Sequence, residues 1–208
     1  LVRPGDDEVL SLTVKMPGLH NAVNAAGAAA LCCELNIDDQ AIIQGLADFG
    51  GVARRFSDLG SVRWQGYSAR LIDDYGHHPT EVAATLKAAR DAFAATRVVM
   101  VYQPHRFTRT RDHFDEFVSV LGENQVLILL DVYAAGESPI DGADSQALAN
   151  AIRSRGVVDP IVVSDQRHLA AVLTSVLEDG DILLMQGAGD IGRLSTALAE
   201  CETLEMLQ

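Results

Sequence analysis

Little in this chain suits a membrane, a disulfide scaffold or a nucleic acid. No apolar run approaches the ~20 residues of a bilayer span. Only three cysteines occur, Cys32, Cys33 and Cys201. An adjacent pair in an alanine-rich stretch and one distant thiol do not make a disulfide framework. They read as buried thiols in a reducing compartment, and the expectation is a cytoplasmic protein. Positive charge is scarce as well: 16 Lys and Arg stand against 29 Asp and Glu, a net charge of −13. A general nucleic-acid binder would carry a basic footprint, so no nucleic acid and no membrane are expected as partners. An anionic small ligand would need a local positive patch.

Two further absences matter. Nothing matches G-x-x-x-x-G-K-[ST], the loop that cradles nucleotide phosphates. The opening residues "LVRPGDDEV" have neither an initiator Met nor a signal-peptide pattern, and the expectation is a piece of something longer. What is present is enough for a core: 208 residues, 48% of them hydrophobic.

Val9–Val14 ("VLSLTV") alternates like a strand. "AVNAAGAAALCCEL" reads as a close-packing helix, and Asp38 and Asp39 can cap a second, "QAIIQGLADF". Gly50, Gly51 and Ala53 then break the pattern, which places a domain boundary there, with 1–52 and 53–208 as the two units. Beyond it, strands at "SARLID", "RVVMVYQ", "QVLILLD", "PIVVS" and "DILLMQ" alternate with helices at Pro79–Phe93, Thr110–Leu121, Ser145–Arg153, Gln166–Leu177 and Asp190–Leu204. Continuous Val, Ile and Leu strands between amphipathic helices predict an α/β fold, a Rossmann-like, mostly parallel sheet with helices on both faces.

In such a sheet, ligands sit beyond the carboxyl ends of the strands. There lie "LIDDYGHHPTEV" (71–82), "QPHRFTRTRD" (103–112), Asp131 with Tyr133, and "QGAGDIG" (186–192). Asp73, Asp74, His77 and His78 are metal-ligand types, but Gly76 and Pro79 put them in a turn without the spacing of a zinc set, so no protein metal site is predicted. Gly187, Gly189 and Gly192 fit a dinucleotide fingerprint, yet no later strand or ribose-binding acid follows. A turn that lets the last helix pack closely on the sheet is the plainer reading. Arg106, Arg109 and Arg111 crowd a strand-to-helix turn in an acidic chain. They form either a solvated helix face or a grip for a carboxylate or phosphate through paired hydrogen bonds.

Taken together, "MPGLHNAVNAAGAA", "RRF", "DDYGHHPTEV", "QPHRFTRTRDHFDEF", "DVYAAGESPIDGADS" and "QGAGDIG" resemble the UDP-N-acetylmuramate–L-alanine ligases of the Mur ligase family, from about Val14 onward. The resemblance implies the end of a central ATP-binding domain followed by the complete C-terminal domain. It also implies ATP with Mg2+, held mainly by regions missing from this chain, and L-alanine and UDP-N-acetylmuramate as the substrates. An acyl phosphate is the intermediate, and a fragment of this extent should not turn over by itself. A homodimer is left open. Carried over by motif, Asn21 and Asn24 resemble the asparagines that meet adenine, Arg55 matches an arginine at the nucleotide, and Asp74 an acid on the ribose hydroxyls. His77, Arg106 and Arg109 resemble the group that receives L-alanine, with Tyr75 lining that pocket. Asp73 and His78 also read as local pairing and turn residues, and Asn21 and Asn24 as helix-start caps. The alternatives are the related ligase that recycles murein tripeptide, and a stand-alone nucleotide-binding module without catalysis.

Overall fold

The structure is a computed structural model in which residues 9–94, 96–201 and 203–204 are described. Two helices come first. α1 (Leu19–Glu34) is rich in alanine, and α2 (Asp39–Asp48) is closed by the Asp38 carboxylate accepting from the N–H groups of Gln40 and Ala41. A linker then leads into a hairpin of β1 (Ser57–Trp64) and β2 (Tyr67–Asp74). Its turn residues, Gln65 and Gly66, both have positive φ, 45° and 88°, the backbone twist that two-residue hairpin loops require.

From β2 the chain alternates. α3 (Pro79–Ala92) starts on Pro79 with a capping box between His78 and Glu81. There follow β3 (Val98–Tyr102), the short α4 (Phe107–Asp112), α5 (Phe114–Leu121), β4 (Val126–Leu130) and α6 (Ser145–Arg155). After them come β5 (Ile161–Val163), a 3-10 turn at Gln166–His168, α7 (Leu169–Val176), β6 (Ile182–Gln186) and α8 (Ile191–Glu200).

The strands form one sheet in the order β1-β2-β6-β3-β4-β5, parallel throughout except for the antiparallel β1. Successive strand residues face opposite sides. Ile72, Met100, Leu127 and Leu184 pack against α3, α5 and α6; Leu71, Val101, Ile128 and Leu183 pack with α7 and α8. Both faces are covered, which is why the strand sequences lack the polar alternation of a half-exposed sheet. β6 comes last in the chain yet lies between β2 and β3. The turns after β2 and β3 therefore flank the carboxyl end of β6, the place where ligands bind in open α/β sheets.

Several local expectations need correction. Among the described residues, Val9–Val14 is not part of the six-stranded sheet; Val9 alone makes an isolated bridge. β1 was not anticipated; Gly60 sits at an irregularity between Asp58 and Ser61 that interrupts its alternation. The helix expected over 110–121 begins at Phe107 and breaks at His113, where the backbone leaves helical geometry. The last helix ends at Glu200, short of the expected Leu204, and the helix after β5 opens as a 3-10 turn.

Candidate active site

Asp74, the last residue of β2, organises the first turn. Its Oδ1 accepts from Gly76 N (2.8 Å), Thr85 Oγ1 (3.0 Å) and Gln186 Nε2 (2.8 Å), and its Oδ2 from Phe56 N (2.9 Å). With 4% of its surface exposed, this carboxylate ties the linker, β6 and α3 to one point. Its neighbour Asp73 faces the other side of the sheet, accepting from Arg54 Nε and Ser195 Oγ, each at 3.0 Å. Burial raises the Asp73 carboxyl above its ordinary range, and Arg54 only partly offsets this. Arg54 also donates to Gly187 O at 2.6 Å and lies over the Tyr75 ring.

The turn continues with His77. Its Nδ1 lies 3.1 Å from Tyr75 O. A carbonyl only accepts, so the proton sits on Nδ1 and Nε2 is left as the basic nitrogen. The second turn supplies His105, whose ring centroid is 5.7 Å from that of His77 and is stacked on Tyr133 at 5.5 Å. Here the tautomer is reversed. Arg109 Nη1 reaches His105 Nδ1 at 3.1 Å and His105 O at 3.0 Å, and a guanidinium only donates. Burial, then the charges of Arg109, His77 and Arg106, hold the His105 imidazole below its usual pKa. Two imidazoles thus stand side by side with opposite tautomers, His77 presenting a base and His105 an N–H.

Arg106 has φ 73°, a conformation that side chains other than glycine rarely adopt. It is fixed there by its own N–H donating to Tyr133 O and by Thr110 Oγ1 donating to its carbonyl, each at 2.9 Å. The guanidinium is half-exposed and rests 3.9 Å from Glu137. Arg111 pairs with Asp112 on the exposed face and takes no part.

Beside this rim, a cleft of about 710 Å³ opens between α1 and α3. Val14, Met16, Ala25, Leu46, Phe49 and Val52 give it apolar walls, and Asn21, Asn24, Arg55, Asp74 and Glu81 also line it. Asn21 is buried and donates to Pro17 O at 2.7 Å, while Asn24 is exposed. Arg55 lies over the Tyr75 ring and 3.4 Å from Glu81.

The glycine-rich run serves packing. A Cβ at Gly187 would stand 2.7 Å from Gln103 O, at Gly189 2.7 Å from Tyr133 Cβ, and at Gly192 within the Arg54 guanidinium. Gln103 closes the start of α8, its Oε1 accepting from Ile191 N at 3.0 Å and its Nε2 donating to Asp190 at 2.6 Å. Among the described residues, no group of three or more His, Cys, Asp or Glu side chains forms a metal site.

The structure therefore gathers His77, Tyr75 and Arg109 at one rim with Arg106 at its edge, and Asn21, Asn24 and Arg55 around the neighbouring cleft. Asp74 is the exception in kind: its oxygens already hold four protein donors. In the sequence, His105 stands out only as part of the run 103–112, and Glu81 and Gln103 carry no local signal of their own. The signal for His105 was its place in "PHR", at the end of a buried strand.

Residues 54–189 match the family described as Mur ligase, glutamate ligase domain. This chain belongs to the Mur ligase family. Among solved members, it is similar to the UDP-N-acetylmuramate-alanine ligase of Thermotoga maritima, with 28% identity and a TM-score of 0.73 over 92% of this chain and 40% of that one. A murein peptide ligase of Psychrobacter arcticus matches at 22% identity and TM-score 0.64, covering 94% of this chain and 41% of that one. A folylpolyglutamate synthase of Mycobacterium tuberculosis matches at 17% and 0.63, over 92% and 42%; these last two likenesses concern the fold alone. The Mur ligase chain described here thus spans about two fifths of the length of its solved relatives. Among its described residues, no helix is long and apolar enough to cross a membrane.

Proposed function

We propose that this chain is the C-terminal part of an ATP-dependent amide ligase that joins L-alanine to UDP-N-acetylmuramate in peptidoglycan synthesis. One observation carries the reading: a cationic rim with two imidazoles of opposite tautomer, set directly against an apolar cleft edged by two asparagines and an arginine. The 28% identity to the Thermotoga maritima alanine ligase supports the choice of amino acid.

On this reading the cleft takes ATP. Its apolar walls suit a purine plane, the amides of Asn21 and Asn24 supply a donor and an acceptor for the base edge, and Arg55 meets the phosphates or ribose. Asp74 acts indirectly, by fixing the turn that bears His77. Mg2+ accompanies ATP in this chemistry, but the described side chains do not assemble a site for it, and none of the steps assigned to this chain depends on one.

L-Alanine binds at the rim. Arg109 is held by its Nη1 on His105, while its other nitrogens have no protein hydrogen bond among the described residues and remain for the amino acid's carboxylate. Arg106 adds a second guanidinium. The ammonium group lies toward His77 Nε2, which takes one proton and frees the lone pair; the nitrogen then attacks the acyl carbon, and the second proton departs with the leaving phosphate. Neutral His105, donating through Nε2–H, adds no charge that would repel an ammonium group. Catalysis by these residues is mainly alignment of two reactants, assisted by fixed charges.

The test is ADP release by the full-length protein, supplied with ATP, UDP-N-acetylmuramate and either L-alanine or the murein tripeptide. Turnover with L-alanine alone is expected. Turnover with the tripeptide instead assigns the recycling reaction, and ATP binding without either turnover reduces the chain to a nucleotide-binding module.

A further inference from the structure

Glu81 stands where the cleft and the rim meet. As the third residue of α3 it closes the helix start, its Oε2 accepting from His78 N at 3.1 Å. A cap requires no more than that. The same oxygen also accepts from His77 N at 2.9 Å and lies 3.7 Å from His77 Nδ1. Its other oxygen, Oε1, lies 3.4 Å from Arg55 Nη1. Burial works against ionisation here, yet the His77 and His78 N–H groups and the charge of Arg55 help to outweigh it, holding this carboxyl below its ordinary range. A glutamine could meet the helix cap as well as a carboxylate does. It could not attract a guanidinium on one side and an imidazole on the other.

We propose that Glu81 is a positioning residue that couples the two ligands, holding Arg55 at the cleft with one oxygen and the His77 turn at the rim with the other. This rests on the assignment of ATP to the cleft and the amino acid to the rim. A phosphate group arriving beside Arg55 competes for the guanidinium through charge-assisted hydrogen bonds of the same kind. When Arg55 turns to it, the carboxylate is left to His77 alone and holds that turn and ring more firmly. Filling the cleft thereby tightens the rim, and the amino acid must tighten the cleft by the same factor, since coupling between two binding sites is reciprocal.

The experiment is calorimetric titration of L-alanine into the full-length protein, with and without a saturating non-hydrolysable ATP analogue, for wild type, Glu81→Gln and Arg55→Gln. In wild type the analogue should tighten L-alanine about fivefold or more, the lower end of ordinary site-to-site couplings. In both variants that ratio should fall to about one, with the analogue raised until it saturates each. A ratio preserved in Glu81→Gln, or absent from wild type, overturns the coupling and leaves both ligand assignments standing. Should Glu81→Gln fail to fold, a ratio preserved in Arg55→Gln overturns it equally. Wild-type protein that binds neither ligand overturns the assignments, and the coupling with them.

Discussion

The cleft and the rim share one turn but are built on different principles. The cleft has mainly apolar walls with a few polar groups among them, and of its two asparagines Asn21 is tied to the backbone, through Pro17 O. At the rim nearly every group is held by another: His77 by Tyr75, His105 by Arg109 and Tyr133, and Arg106 by the backbone of Tyr133. A purine offers a broad apolar plane, so hydrophobic walls and a few polar groups suffice to hold it. A small amino acid offers little besides a charge at each end, and only groups already fixed in direction can orient it.

The most damaging way to break this contrast is to remove what both regions lean on. Asp74→Ala should cost about 3–5 kcal/mol of stability, since it strands several buried donors at once. Urea denaturation reads this directly, and an unchanged midpoint would mean that other contacts hold the turn. Next, Arg109→Ala should separate the two regions, lowering kcat/KM for L-alanine about 100-fold and leaving the KM for ATP within about threefold. Arg106→Ala, at a more exposed position, should follow the same pattern at about tenfold. Equal losses for both substrates in steady-state kinetics would remove these arginines from the amino-acid side.

A steric probe sharpens the comparison further. Gly189→Ala drives a methyl group into Tyr133 Cβ and so disturbs the plate on which His105 is stacked. About 1–3 kcal/mol of stability should be lost, together with a rise in the L-alanine KM and none in ATP affinity. The smallest effect is expected in the cleft, where Asn24→Ala should weaken ATP about fivefold, one modest hydrogen bond. Calorimetry showing no change would mean that Asn24 faces solvent only.

Much of this was legible beforehand because each strand buried on both faces writes itself as a run of Val, Ile and Leu. The capped helices were equally readable, from Asp38 before α2 and Pro79 opening α3. What stayed hidden were features decided by partners distant in sequence. β1 is a strand through its pairing with β2 across Gln65 and Gly66 despite its interrupted alternation, while Val9–Val14 alternates more cleanly and, among the described residues, lies outside the sheet. Asp74 looked like a ligand-binding acid; nothing local announced that Phe56 N and the amide of Gln186, 112 residues away, would converge on it. The His105 imidazole is held below its usual pKa by burial and then by the charge of Arg109, which spacing alone does not reveal. The glycine run pointed to close approach, but not to what approached: Gln103, Tyr133 and Arg54.

The placement of β6 has a consequence for how the protein comes into being. β2 and β3 both hydrogen-bond to it and not to each other, and it emerges from the ribosome after every other strand. Until it slides between them, the two histidine-bearing turns have no common frame, and the nascent chain exposes a pair of unmatched apolar edges. The two turns are thus brought together by a single late insertion, and any pause before Ile182 leaves a body that has α1 to α7 but neither β6 nor α8 to frame them.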